Sequence, residues 1–144
     1  MPSIHSSMND FVQTLEQVPA KIITQQPKFA HVSPILKELH WLPISARVKY
    51  KIALVMFKSV SCKAPVYLTE MFHKYIPAVS LRSATKCLLN VPNYRLKTFG
   101  GKAISVFGAN VWNTLPTELR FLESLEDFKD KLKTYLFSVH FENV

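Results

Sequence analysis

Ser45-Ala46-Arg47-Val48-Lys49-Tyr50-Lys51-Ile52-Ala53-Leu54-Val55-Met56-Phe57-Lys58-Ser59-Val60-Ser61 is the stretch whose reading decides the fold. No Pro or Gly interrupts it. Ser45 suits a helix N-cap, so the pattern predicts a helix over 46–61. Val48, Ile52, Val55, Met56 and Phe57 recur at helical spacing and form its expected apolar set. At 100° per residue, Arg47, Lys51 and Lys58 fall within about 40° of one another on the other side. Leu54 interrupts that stripe, which predicts a largely buried helix with one charged edge.

Helical signals continue on both sides. Phe11, Val12, Leu15, Val18, Ile22 and Ile23 predict a helix over about 9–24. Pro19 is expected to kink or split it. Ser33-Pro34 opens another, serine at the cap and proline at the first helical position, with Pro43 as its stop. Ala64-Pro65 starts a helix of one or two turns. A further helix over about 102–113 ends at Leu115-Pro116, and Thr117–Arg120 makes a single turn. Ser124 with Asp127 three residues later resembles a capping box for the last helix. Leu125, Phe128, Leu132, Tyr135 and Leu136 are its apolar stripe. Residues 80–98 lack a helical period and read as extended chain or a short strand pair. The expected fold is therefore mainly α: one small domain over 1–144, with about five to six helices. Trp41, Ile52, Val55, Phe57, Trp112, Phe128 and Leu132 are its predicted core.

Composition supports a packed chain. It is 48% hydrophobic with ten Phe and only three Gly, which disfavours a many-hairpin β fold and any glycine-rich phosphate loop. The net charge is +8, and it is unevenly spread. Residues 28–102 hold thirteen Lys or Arg against two acids, Glu38 and Glu70, a local charge near +11. A basic centre of this kind fits a polyanion partner, RNA or DNA first. Candidate contacts are Arg47, Lys49, Lys51, Lys58, Arg82, Lys86, Tyr94, Arg95, Lys97 and Lys102. In Lys49-Tyr50-Lys51 and Tyr94-Arg95, cations alternate with rings that could stack on bases.

Catalysis finds little support. The three Asp and five His are scattered, and no Ser sits in a G-x-S-x-G setting. Asp127 and Asp130 lie among lysines, where surface pairing explains them. His40, between Leu39 and Trp41, reads as a core or interface residue. Cys62 and Cys87 stand alone, with no metal-ligand spacing, and read as packed reduced thiols. No metal or cofactor is expected. No apolar run reaches the ~20 residues of a membrane span, and the N-terminus lacks a secretory pattern. The expected setting is intracellular, without membrane or small-molecule substrate.

A resemblance emerges from the order of short motifs. Leu39-His40-Trp41-Leu42-Pro43-Ile44 is followed by Arg47-Val48-Lys49-Tyr50-Lys51, Ala64-Pro65-Val66-Tyr67-Leu68 and Leu81-Arg82-Ser83. Val91-Pro92, Arg95-Leu96-Lys97-Thr98-Phe99-Gly100 and Ala103-Ile104-Ser105-Val106 come next. Val111-Trp112-Asn113-Thr114-Leu115-Pro116, Ser124-Leu125, Phe128-Lys129 and Leu132-Lys133 complete the series. This run, over about residues 10–137, resembles the C-terminal region of reverse transcriptases from non-LTR, LINE-type retrotransposons of the jockey-like group. The chain departs from that pattern at Gly101, where the family often carries a charge, and at Phe107-Gly108-Ala109-Asn110, which is expected to loosen its helix. The palm aspartates and the endonuclease of such enzymes are absent. The resemblance thus implies a non-catalytic piece that follows the polymerase thumb and holds template RNA or target DNA. Two alternatives stand beside it. One is a docking module that packs on upstream polymerase domains or on itself through Trp41, Phe57, Phe72 and Trp112. The other is an element-derived truncated reading frame without a role.

Overall fold

The computed structural model describes residues 14–15, 17–27, 29–77, 87–95, 100–101 and 103–141. It is mainly helical, as the periodicity predicts. The helices are α1 (Val32–Glu38), α2 (Ile44–Val60), α3 (Val66–Met71), α4 (Ile104–Thr114), α5 (Thr117–Arg120) and α6 (Leu125–Phe141). Helical residues also run over 17–23, through Pro19. Proline keeps a helical φ there; its cost is the one bond its missing N–H would have given to the Leu15 carbonyl. Among the described residues the only β pairing is an isolated antiparallel bridge, Lys74 to Leu89. The described part of the predicted extended segment, 87–95, is non-helical. The described residues pack as two compact units. One holds the residues up to Val48 and from Tyr135 onward, the other Lys49–Thr134.

In the first unit, Ala20, Ile35 and Leu36 form a buried cluster, and Val32, Leu39, Trp41 and Phe141 pack against it. Serine does not cap α1. The helix has begun at Val32, with His31 at the cap position and no side-chain cap bond. Nor does Pro43 stop it, because α1 has already ended at Glu38. The Trp41 N–H donates to the Leu36 carbonyl (2.9 Å) and the His40 N–H to the Lys37 carbonyl (3.1 Å). His40 carries the turn at φ 52°. This is a Schellman termination, and Trp41 folds back over Leu36 as its hydrophobic contact.

The same device ends two other helical runs. Gln25 (φ 53°) closes the run over 17–23, and the Gln26 N–H donates to the Lys21 carbonyl at 3.1 Å. Cys62 (φ 54°) closes α2, and the Lys63 N–H donates to the Lys58 carbonyl at 2.8 Å. Ser45, expected as the cap of α2, lies inside it, since the helix starts at Ile44.

The second unit is built on rings. Phe57 and Phe128 stack with centroids 4.3 Å apart, and Trp112 tilts against Phe128 at 6.1 Å. Met56, Leu132, Ala53 and Ala109 are sealed into the same core. Each large side chain so buried contributes about 1.5–3 kcal/mol. Gly108 does not loosen α4; the helix is continuous through it. A Cβ at Gly108 would stand 2.8 Å from the Met56 Sδ, so glycine lets the thioether lie against the α4 backbone.

Four predicted core residues hold: Phe57, Trp112, Phe128 and Leu132. Trp41, Ile52 and Val55 are corrected to half-buried. The buried face of α2 is Ala46, Ala53, Met56 and Phe57, while Val48 is exposed. That face is rotated by about 100° from the expected one. The two alanines mark it, because small side chains let neighbouring chain approach the helix closely.

Candidate nucleic-acid interface

α2 carries four cations and no acid. Arg47, Lys49, Lys51 and Lys58 are all exposed. Arg47, Lys51 and Lys58 share one helical face. Lys51 lies about 6 Å along the axis from Arg47, and Lys58 about 10 Å further. Lys49 points about 160° away from Lys51 round the helix and does not join them. Like charges four apart repel by a few tenths of a kcal/mol, and no carboxylate in the helix offsets this. α6 provides the contrast. Glu126, Asp127 and Asp130 alternate with Lys129, Lys131 and Lys133 there, and Lys129 Nζ meets Glu126 Oε1 at 2.7 Å. That hydrogen bond holds the Lys129 ammonium above its ordinary range.

Arg47 also has a local task that its sequence position did not suggest. Its Nε donates to the Leu42 carbonyl at 2.7 Å. Its guanidinium lies over the Trp41 ring, 5.9 Å from the centroid. The arginine thus fastens the Leu39–Pro43 turn and is held with little rotamer freedom. A guanidinium anchored through Nε keeps its terminal nitrogens for a fork-like contact with an oxyanion.

The other predicted contacts divide. Tyr94 and Arg95 are exposed on the extended segment. Tyr94 is also a packing residue: a Cβ at Gly100 would come within 2.6 Å of the Tyr94 Cβ. Tyr50 is half-buried. Arg82, Lys86, Lys97 and Lys102 lie outside the described residues. The extended segment is clamped on α4. Asn113 Nδ2 donates to the Leu89 carbonyl, its Oδ1 accepts from the Leu89 N–H, and Trp112 Nε1 donates to the Cys87 carbonyl, each at 2.9 Å. Leu89 is buried in the core beside this clamp.

One residue went unnoticed in the sequence. Arg120 is 8% exposed, and its Nε and Nη1 are buried without a hydrogen-bond partner. Only Nη2 donates, to Thr117 Oγ1 at 3.2 Å. Burial pushes this guanidinium below its ordinary range. Nothing in Thr117-Glu118-Leu119-Arg120 signals burial, since three of its four residues are polar.

His40, read as a core or interface residue, is exposed and so not in the core; it stacks on Phe137 at 5.5 Å. Cys62 is likewise exposed rather than packed. Among the described residues no group of His, Cys, Asp and Glu could hold a metal ion. No described helix is long and apolar enough to cross a membrane. No family model, curated protein or solved structure matches the chain.

Proposed function

We propose that this chain is a basic, non-catalytic nucleic-acid-binding piece related to the C-terminal region of a LINE-type reverse transcriptase. The observation that carries the reading is the acid-free face of α2, where Arg47, Lys51 and Lys58 stand exposed with no acid in the helix. A nucleic-acid backbone supplies the missing anions. Three phosphate contacts give a log–log salt slope of about −2.7 for duplex DNA and about −2.1 for a single strand.

The test is an anisotropy titration of labelled single-stranded RNA and duplex DNA at several salt concentrations. The double substitution Lys51→Glu/Lys58→Glu should weaken binding and flatten the slope by about two. Lys131→Glu on the charge-balanced α6 should change neither appreciably. Millimolar or salt-independent binding by the parent chain rules the reading out.

A docking role has one observation of its own. Val66, Tyr67, Met71, Tyr75 and Ile76 are exposed within a short stretch of chain, Ile76 at 86%. Of the residues suggested for docking, Phe57, Phe72 and Trp112 are core residues, while Trp41 is half-buried. A concentration-dependent mass in light scattering that Tyr67→Ser/Ile76→Ser abolishes is the result this second reading requires.

A further inference from the structure

His40 closes α1 at φ 52°, a place that glycine favours. Gln25 and Cys62 hold the same place in their helical runs, but neither has a ring. The His40 ring is laid on another. It lies nearly parallel to Phe137, with 8° between planes and 5.5 Å between centroids. Its Nδ1 donates to the Glu38 carbonyl at 3.2 Å, which fixes the direction of the ring. Behind it, Phe137 meets Phe141 at 4.6 Å, and Phe141 packs against the buried cluster of Ala20, Ile35 and Leu36. His40 is nonetheless exposed. One face of the ring lies on Phe137, so the exposure that it keeps is on the other side. Backbone strain that holds a flat, oriented, solvent-facing ring points to a site rather than to packing.

The next residue brings a charge. Trp41 carries the Arg47 guanidinium over its ring at 5.9 Å, and the Arg47 Nε is tied to the Leu42 carbonyl at 2.7 Å. An anchored cation one tryptophan away from an open ring suits a single-stranded nucleic acid, with a phosphate on the cation and a base on the ring. Stacking of this kind reads no base edge and so tolerates every base. A duplex gains nothing from the ring, since its bases are already stacked on one another.

We propose that His40 is a stacking platform for one unpaired base, backed by Phe137 and one residue along from the tryptophan that holds Arg47. The ligand is then a single strand, RNA or DNA. This rests on the nucleic-acid reading above and adds the form of the strand.

Anisotropy titrations of the full chain test it, with labelled single-stranded RNA, single-stranded DNA of the same sequence and blunt duplex DNA, each at several salt concentrations. His40→Gly removes the ring and keeps the positive φ. It should melt no lower than the parent, so that lost binding is not lost fold. It should weaken binding of both single strands by about fivefold or more, the lower end of what one base stack contributes. The salt slope should stay that of the parent, because no phosphate contact is lost. Duplex binding should not change. His40→Phe restores a ring and should recover most of the single-strand affinity. A loss confined to the RNA or to the single-stranded DNA also supports the platform, and names the strand. If the parent binds single strands with a steep salt slope and His40→Gly binds them equally well, the platform is ruled out while the nucleic-acid reading stands. If His40→Gly weakens duplex and single strands alike, the loss is not one of stacking, and the platform is again ruled out. If the parent binds none of the three, both fall.

Discussion

Among the described residues, four other than glycine carry a positive φ: Gln25, His40, Cys62 and Cys87. None of the four has a β-branched side chain, but none is the glycine such a position favours, and each costs on the order of 1 kcal/mol. Three of them close helical runs, where a left-handed residue lets its own N–H and the next one return to the last carbonyls. Cys62 is the clearest to test, because its side chain is exposed and its thiol is free. Cys62→Gly should stabilise the chain by about 0.5–1 kcal/mol, read as a raised urea midpoint at unchanged slope. His40→Gly should gain less, since it also gives up the stack on Phe137. The opposite sign is expected at Gly108. Valine there drives two methyl groups into the space of the fully buried Met56 thioether and into a stiff rotamer. Overpacking of this kind costs about 1–3 kcal/mol, so Gly108→Val should lower the midpoint clearly. A midpoint at or above that of the parent shows that Met56 moves aside freely.

At the scale of elements, the sequence was most readable where two local signals coincided. The turn Thr117–Arg120 joins a proline just ahead of it to good helix formers within it, and its limits match. Ser124 caps α6 as expected: the Phe128 N–H donates to its carbonyl at 3.1 Å, and the Asp127 N–H reaches its Oγ at 3.5 Å. α3 follows Pro65 as predicted. The end of α1 was less readable for a physical reason. Helix ends are usually announced by glycine, and here His40 holds that place. The face of α2 was misjudged for a different reason. Hydrophobicity weighs Val48 and Ile52 above alanine, whereas close packing selects Ala46 and Ala53. The candidate interface was legible as charge, because exposed cations on one helical face follow from spacing alone. The second task of Arg47 and the burial of Arg120 were not. Both depend on contacts with residues that periodicity does not bring together, the Leu42 carbonyl in one case and the core of the second unit in the other.

For the molecule as a whole, the governing feature is the concentration of charge. Residues 28–102 carry about eleven excess positive charges, and a compact state holds like charges closer together than an expanded chain does. Self-repulsion of this kind destabilises the compact state and is relieved by screening. The melting temperature should therefore rise as salt increases from about 0.01 M to 0.15 M, a range over which the Debye length falls from about 30 to 8 Å. A bound polyanion relieves the same repulsion more efficiently, because its charges are held at the protein surface. At about 100 times its dissociation constant, such a ligand adds roughly 2.7 kcal/mol to the stability of the folded state. The two effects have opposite salt dependence. Salt alone should stabilise, whereas the increment from a short RNA should shrink as salt is added, because counterion release weakens binding. Calorimetric scans of the chain with and without RNA, at low and at physiological salt, separate them. In Lys51→Glu/Lys58→Glu both should diminish together, since the same two side chains would be the source of the repulsion and of the binding. A variant that lost the RNA increment but kept the full salt response would place the binding on α2 and the repulsion elsewhere in the basic centre.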